Sequence, residues 1–234
     1  MSPRPLKHLA VGTLMALAGC ASGTPAALPT IATGAEAEIT IDGLHKMDNT
    51  IVQLAYAKPD MDLTPYTAFM LDPATVAYKR DPQGRRRGNT SDANFELTAE
   101  QMESLKEIFR EQLVEALTED DGYELVTAPA ENVLRVSASL LDLVVKIPTE
   151  RTGGRSRTYA ASYAEVTLVL ELYDSMSGEI LARAGQRMDP TRSARNLAEV
   201  NRAFVRGDVT RMFAHWANIF RERLDQMRAV GSPS

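Results

Sequence analysis

Cysteine is almost absent from this chain, with one in 234 residues, so no disulfide can form within it and no cysteine pair can frame a zinc site. Histidine is nearly as scarce: His8, His45 and His215 are the three. They lie too far apart to suggest a metal centre, and no His-x-x-x-His or histidine–carboxylate cluster occurs at ligand spacing. Positive charge is in deficit as well. Twenty-six Lys and Arg stand against 31 Asp and Glu, a formal charge of −5, which argues against general nucleic-acid binding through phosphates. The longest apolar run, from Leu9 to Ala18, falls short of the roughly 18 to 20 residues that a membrane-spanning helix needs. Catalytic signatures are missing too. There is no Gly-x-Ser-x-Gly and no Ser-x-x-Lys at a helix start, and Gly153-Gly154 lacks the Gly-Lys-Ser/Thr ending of a phosphate loop. Ser175 and Ser177 read as turn formers. No catalytic residue, no cofactor and no metal is expected, and the chain reads as a non-enzyme.

What is present suffices for a folded core: 44% apolar and 24% charged residues, with a mean hydropathy of −0.22. The N-terminus has the layout of an export signal, with Arg4, Lys7 and His8 followed by the apolar segment and then the small residues Ala18 and Gly19. The closing Leu17-Ala18-Gly19-Cys20 resembles a bacterial lipobox. That resemblance implies cleavage before Cys20, lipid on its thiol and acylation of the new amine, which explains the single cysteine. One acyl chain binds a membrane only reversibly, whereas several anchor it durably. Residue 21 is Ala rather than Asp, and by the same resemblance this favours the outer membrane, facing the periplasm.

Residues 1–19 are therefore expected to be a signal peptide and 20–38 a lipidated N-terminus and flexible tether, rich in Ala, Thr, Pro and Gly. Such a coil would hold the domain on the order of 20 to 25 Å from the bilayer. Residues 39–229 are expected to form one domain, with 230–234 as a disordered tail. Tyr66-Thr-Ala-Phe-Met-Leu71 and Thr75-Val-Ala-Tyr78 read as strand segments separated at Pro73. Thr98-Ala-Glu-Gln101 is a capping box, and Met102, Leu105, Phe109, Leu113 and Leu117 recur at helical spacing until Asp120-Asp121-Gly122. A short strand is expected over 123–126, and longer ones over 133–145 and 163–173, where apolar and polar residues alternate. Asp174-Ser-Met-Ser-Gly178 supplies a turn before a return strand over 179–184. Leu197, Val200 and Phe204 suggest a short helix interrupted at Gly207-Asp208. Val209, Phe213, Trp216, Phe220, Leu224 and Met227 then stripe a long one. The expected fold is α+β: a mainly antiparallel sheet of about four to five strands with two amphipathic helices packed on one face.

Two basic clusters stand out on this acidic chain. Arg85, Arg86 and Arg87 form one; Arg155 and Arg157 belong to the other. Charge runs in loops are usually solvated surface, but brought together these five arginines would dock an acidic partner, a lipid head group or an anionic envelope polymer, and they are the candidate partner-binding residues. His215 reads as a surface or partly buried histidine, and Trp216 as the seal between helix and sheet.

Several of these segments, in the same order, carry a family resemblance: Lys58-Pro-Asp, Tyr66 leading into Leu71-Asp-Pro73, Val133-Leu-Arg-Val136, Thr167-Leu-Val-Leu-Glu-Leu-Tyr-Asp-Ser175 with Gly178-Glu179, and Phe213 to Leu224 around Trp216-Ala217. From Gly43 onward the chain resembles the bacterial lipoproteins grouped as domain of unknown function 3313. The resemblance implies an envelope location and a one-domain layout, and carries over no catalytic residue. The function expected is that of a lipid-anchored periplasmic adaptor or binding module, held at the membrane through Cys20 and recognising another envelope component, first of all a protein. A small-ligand or lipid-binding module is the alternative, and an envelope hydrolase a more distant one.

Overall fold

The alternating segments pair into a mixed sheet, and the two helical stripes close over one face of it. The computed structural model describes residues 28–79, 96–145, 159–160, 164–188, 198–199 and 202–230. In chain order the strands are β1 (Thr30–Ile31), β2 (His45–Asp48), β3 (Leu54–Ala57), β4 (Ala68–Leu71), β5 (Thr75–Tyr78), β6 (Glu124–Leu125), β7 (Val133–Val145), β8 (Tyr159–Ala160), β9 (Ala164–Asp174), β10 (Ile180–Met188) and β11 (Ala198–Glu199). The helices are α1 (Ala99–Thr118) and α2 (Arg202–Val230). Nine strands form one sheet in the order β1-β2-β3-β10-β9-β7-β4-β6, with β5 also paired to β7; β8 and β11 make a separate small ribbon.

The expectation of four to five strands is thus corrected to a nine-stranded sheet. The sheet is mixed, because β4 and β5 run parallel to β7, and β6 runs parallel to β4. The missing strands are the short N-terminal ones. Neither His-Lys-Met-Asp nor Leu-Ala-Tyr-Ala has the alternation of large apolar residues that marks a strand in sequence, and both are strands because they pair, β3 against β10 and β2 against β3. Pairing also reaches into the stretch read as tether, where Thr30 and Ile31 face Asp48 and Met47.

The long central strands follow their sequence pattern. On β7, Leu134, Val136, Ala138 and Leu140 are all buried and face Leu172, Leu170 and Leu168 on β9 in the ladder Val136–Leu172, Ala138–Leu170, Leu140–Leu168. Between Leu141 and Val144 the register shifts at a bulge, where Asp142 takes a positive φ of 53°; Asp is among the few non-glycine residues that adopt this geometry cheaply. The β9–β10 turn is tied by Asp174, whose Oδ1 accepts from Met176 N, Ser177 N and Ser177 Oγ at 3.1, 2.7 and 2.8 Å. Gly178 supplies the positive φ of 71° that ends it.

Helix α1 begins with the capping box the sequence predicts. Thr98 Oγ1 accepts from Gln101 N at 3.2 Å and the Gln101 side chain accepts from Thr98 N at 2.9 Å. Its end is closed by the other helix: Arg221 Nη1 donates to the carbonyls of Ala116, Leu117 and Glu119 at 3.1, 2.8 and 3.2 Å. These are among the last carbonyls of a helix, which have no partner within it. Helix α2 departs from its sequence reading. It runs unbroken through Gly207-Asp208, and Ala198–Glu199 is strand rather than helix. A helical glycine costs only about 1 kcal/mol relative to alanine; Asp208 pairs with Arg211 one turn on, and the apolar stripe continues in phase beyond it.

Candidate functional site

Across β3, β10 and β9 the ladder places Ala57 opposite Ala182 and Ala55 opposite Ala184, with Leu172 and Leu170 the next neighbours of those two β10 alanines. Four alanines on adjacent strands leave a low strip in the sheet where leucines fill the neighbouring strands. Over it lies α2, with Trp216, Phe220, Arg223, Leu224 and Met227 lining the roof. These positions are spaced for one helix face. The result is a narrow apolar groove with a cavity of about 100 Å³, and Pro29, Ile51 and Val52 lie along its side.

Trp216 is 3% exposed and stacks on Phe220, with ring centroids 5.7 Å apart and planes 12° from parallel. The indole Nε1 is buried with no hydrogen-bond partner, and so is Arg223 Nε. Arg223 donates from Nη1 to the neutral Gln226 Oε1 at 2.6 Å and, among the described residues, is paired with no carboxylate. Unsatisfied buried donors cost about 1 to 3 kcal/mol each and are rare in folded proteins. Both belong to residues that line the groove, but neither nitrogen is open to it, and the surface the groove presents is almost wholly apolar.

On the opposite face of the sheet the described side chains form ion pairs. Arg183 there bridges Asp42 at 2.6 Å and Glu171 at 2.7 Å. Arg187 pairs with Glu165, Arg135 with Asp72 at 3.0 Å, and Arg135 also lies 5.0 Å over the Tyr173 ring. Side-chain hydrogen bonds from Thr40 and Arg183 hold the Asp42 carboxyl below the usual carboxylate range. Among the described residues this face is a ladder of mutually neutralised charges.

A second depression gathers Lys58, Asp60, Asp62, Tyr66 and Glu179. Clustered carboxylates are what a hydrolase would need, but a general acid requires a raised pKa. Here the Thr64 hydroxyl and amide donate to Asp62 and pull its carboxyl below the usual range, while Glu179 is paired with Lys58. Ser175 and Ser177 are used in the turn and its anchoring, Ser175 Oγ donating to Ala130 O at 2.9 Å. His215 is exposed on α2 and His45 half-buried on β2. Among the described residues no three His, Cys, Asp or Glu side chains gather as a metal site, and no helix is long and apolar enough to cross a membrane.

The candidate partner residues Arg85, Arg86, Arg87, Arg155 and Arg157, and the lipid-attachment residue Cys20, lie outside the described residues. A gap beside the long helix was one of two places expected for an apolar ligand in the alternative reading, the open sheet face being the other, but the residues that form the groove were not read from sequence. Its visible traces there are small, namely alanine in place of the larger apolar residue at four strand positions and the spacing of Trp216, Phe220, Arg223 and Met227 on α2.

Fold and site together define an α+β domain with a mixed sheet, two covering helices and an apolar groove between the longer helix and the sheet. The chain belongs to the family described as Protein of unknown function (DUF3313), whose model matches residues 42–218, in agreement with the resemblance carried by the sequence motifs. No functionally curated protein matches the chain. Among solved structures it is similar to protein XCC0632 from Xanthomonas campestris, of family DUF330, at 10% identity over 72% of this chain and 90% of that one, with a TM-score of 0.39. It is also similar to the PelC dodecamer from Paraburkholderia phytofirmans, at 11% identity over 71% and 96%, TM-score 0.35. The hypothetical protein CT253 from Chlamydia trachomatis matches at 11% over 69% and 96%, TM-score 0.35. Likenesses this low carry no functional argument.

Proposed function

We propose that this chain is a lipid-anchored, non-enzymatic binding module of the bacterial cell envelope, held at the outer membrane facing the periplasm through Cys20. Its binding element is the groove between α2 and the alanine strip of β3 and β10. The observation that carries the reading is the open apolar groove itself, floored by four alanines of β3 and β10 and roofed by Trp216, Phe220 and Met227. Binding pockets are characteristically apolar with a few placed polar groups. The sole cysteine at the close of a signal-like segment supports the anchor.

Two measurements test the two halves. Cys20→Ala should move the protein from the membrane fraction to the soluble periplasmic fraction without changing its far-ultraviolet circular dichroism; a variant that stays tightly membrane-bound removes the anchor. Ala184→Leu places a larger side chain in the groove and should abolish uptake of an environment-sensitive apolar dye that the wild-type chain binds with saturation. Equal uptake by both proteins means the groove is not the binding element.

A specific observation favours docking of an envelope protein as a second reading. Ile39 is 62% exposed and Ile41 fully exposed beside the Gly43 turn, an apolar tip of the kind that marks contact sites. In-cell crosslinking from position 41 would return one discrete protein if that tip docks a partner, and only background if it does not.

A further inference from the structure

We propose that the groove receives the Ile41 turn of a second copy of this chain, so that copies dock head to tail, the tip of one in the groove of the next. This rests on the groove being the binding element and names its occupant.

The size of the groove excludes bulkier occupants. Its cavity of about 100 Å³ is smaller than an engineered apolar cavity of about 150 Å³ that admits benzene, which leaves room for one branched aliphatic side chain and none for a long alkyl chain. An added peptide strand would need a free backbone edge to pair with, and β3 in the floor is paired on both sides, by β2 and β10. What fits is a single apolar side chain held out on a turn.

The chain carries such a side chain. Ile41 is the most exposed large apolar residue among those described, and the turn that bears it is closed by its own hydrogen bonds. Gly43 N donates to Thr40 O at 3.0 Å, Thr40 N to Leu44 O at 2.9 Å and Leu44 N to Thr40 Oγ1 at 3.0 Å. Asp42, next to Ile41, ties the turn to Arg183 at 2.6 Å. A side chain on a turn already fixed in this way loses little conformational freedom on docking.

Two features make the partner another copy. The ion pair with Arg183 holds the turn against the face of the sheet opposite the groove, so the tip of one molecule cannot enter its own groove. The charges are also complementary: no Asp or Glu lines the groove, whose roof carries Arg223, whereas Glu36, Glu38 and Asp42 surround the tip against Lys46 and Arg183. A tip on one face and a groove on the other make a heterologous contact, which leaves a free tip and a free groove on every pair and continues into a chain or a closed ring. One turn set in one narrow groove covers less than the roughly 1,200 Å² of a stable interface. The association is therefore weak in solution, and it is favoured where anchored copies share one membrane and their effective concentration rises.

The test is the mass of the full-length Cys20→Ala protein as a function of its concentration, read by sedimentation equilibrium. We expect the average mass to rise with concentration past that of a dimer. Ile41→Lys removes the apolar tip, and Ile51→Asp puts an acid at the rim of the groove; each should lose the rise and stay monomeric. Both positions are exposed, so neither change disturbs the core, and Ala184→Leu, which fills the groove from its floor, repeats the second experiment. Mixed in equal amounts, the Ile41→Lys and Ile51→Asp proteins should form a complex of two chains and nothing larger, because one working tip and one working groove remain between them.

A mixture that stays monomeric, or Ile41→Lys protein that associates as its parent does, overturns the docking of tip in groove. So does a parent that is monomeric at every concentration. If that monomer still takes up the apolar dye, and Ala184→Leu still blocks the uptake, the groove remains the binding element with a different occupant. If it takes up no dye, the groove falls as binding element too.

Discussion

The two sides of α2 are built to opposite specifications. Phe213, Ala217 and Arg221, spaced four apart, belong to the side turned to α1; Trp216, Phe220, Arg223 and Met227 belong to the side turned to β3 and β10. On the first side Phe213 is 1% exposed and meets Phe109 edge-on, with centroids 5.2 Å apart and planes at 78°. Arg221 spends its guanidinium on three carbonyls of the α1 terminus and on Asp225 at 2.6 Å. On the second side there is unfilled volume and there are two donors without acceptors. One helix thus supplies both the cement of the fold and the wall of its groove, and a side chain's contribution depends on which side it occupies.

The sharpest way to break that comparison is to truncate one aromatic on each side. Phe213→Ala should cost about 3 to 5 kcal/mol of unfolding free energy, because a fully packed ring leaves a cavity that its neighbours cannot close. Phe220→Ala, beside space that is already empty, should cost less than half as much. Urea denaturation of the two variants measures the difference, and equal losses would mean that the groove side is as tightly packed as the other.

The next effect lies at the junction of α1 and α2. A Cβ on Gly122 would stand 2.2 Å from both Leu117 O and Arg221 Nη1. Arg221 is flexible, but the carbonyl is backbone, so Gly122→Ala must shift the chain and should cost about 1 to 3 kcal/mol, the range of an overpacked core. Removing the arginine as well should rescue little, since the clash with Leu117 O remains. Full recovery in Gly122→Ala/Arg221→Ala would place the strain on the guanidinium alone.

Titration separates the regions a third way, because Asp174, Tyr66 and Tyr123, three of the shifted groups, lie away from the groove. Amide and hydroxyl donation from Ser177 holds Asp174 below the usual carboxylate range, with Tyr66 Oη adding a bond of 2.9 Å. Its folded pKa is depressed, so its contribution to stability is present above the unfolded value near 4 and is lost as pH falls through the folded one. Burial first, and then Asp174 and Asp225 respectively, push Tyr66 and Tyr123 up to about 12. Their contribution is complete below the unfolded value near 10 and disappears as pH rises towards 12. Melting temperature should therefore fall on both the acid and alkaline limbs. Asp174→Asn should flatten the acid limb, whereas Arg223→Gln should change neither; an unchanged acid limb in Asp174→Asn would assign it to other carboxylates.

How much of this was legible in the sequence follows from the range of the signals. The capping box at Thr98, the alternation along β7 and β9 and the Asp174 turn depend on neighbours within a few residues, and they stand where the sequence puts them. β3 exists because β10 passes beside it, more than a hundred residues away, and β2 because it pairs with β3 in turn, and no local pattern reports that. The parallel pairing of β4 and β5 with β7 is equally non-local. Gly207 and Asp208 carried a local stop signal that the continuous apolar stripe outweighed. The groove is the hardest case, since it is made of what is small or missing. Ala55, Ala57, Ala182 and Ala184 look like unremarkable strand alanines until the ladder sets them side by side. Trp216 reads as a seal, which by burial it is, and only the structure shows that its N–H is left over.

The smallest effect on stability is also the most discriminating. Trp216→Phe deletes part of a buried ring, which in a packed core would destabilise by roughly 1 to 3 kcal/mol, and it also deletes a buried N–H that has no acceptor, which relieves a cost of about the same size. The two changes oppose each other, so the free variant should unfold within about 0.5 kcal/mol of the wild type, where Phe213→Leu on the α1 side has no such relief and should lose well over 1 kcal/mol. A saturating groove ligand should then separate them differently. Ligand that binds only the folded state raises its stability by mass action, and the wild type should gain more than Trp216→Phe, which has lost part of the groove's wall. Phe213→Leu should gain as much as the wild type from its lower starting point. Chemical denaturation with and without ligand reads all of these differences, and a Trp216→Phe variant that is clearly destabilised when free would mean that the indole N–H already has a partner in the protein.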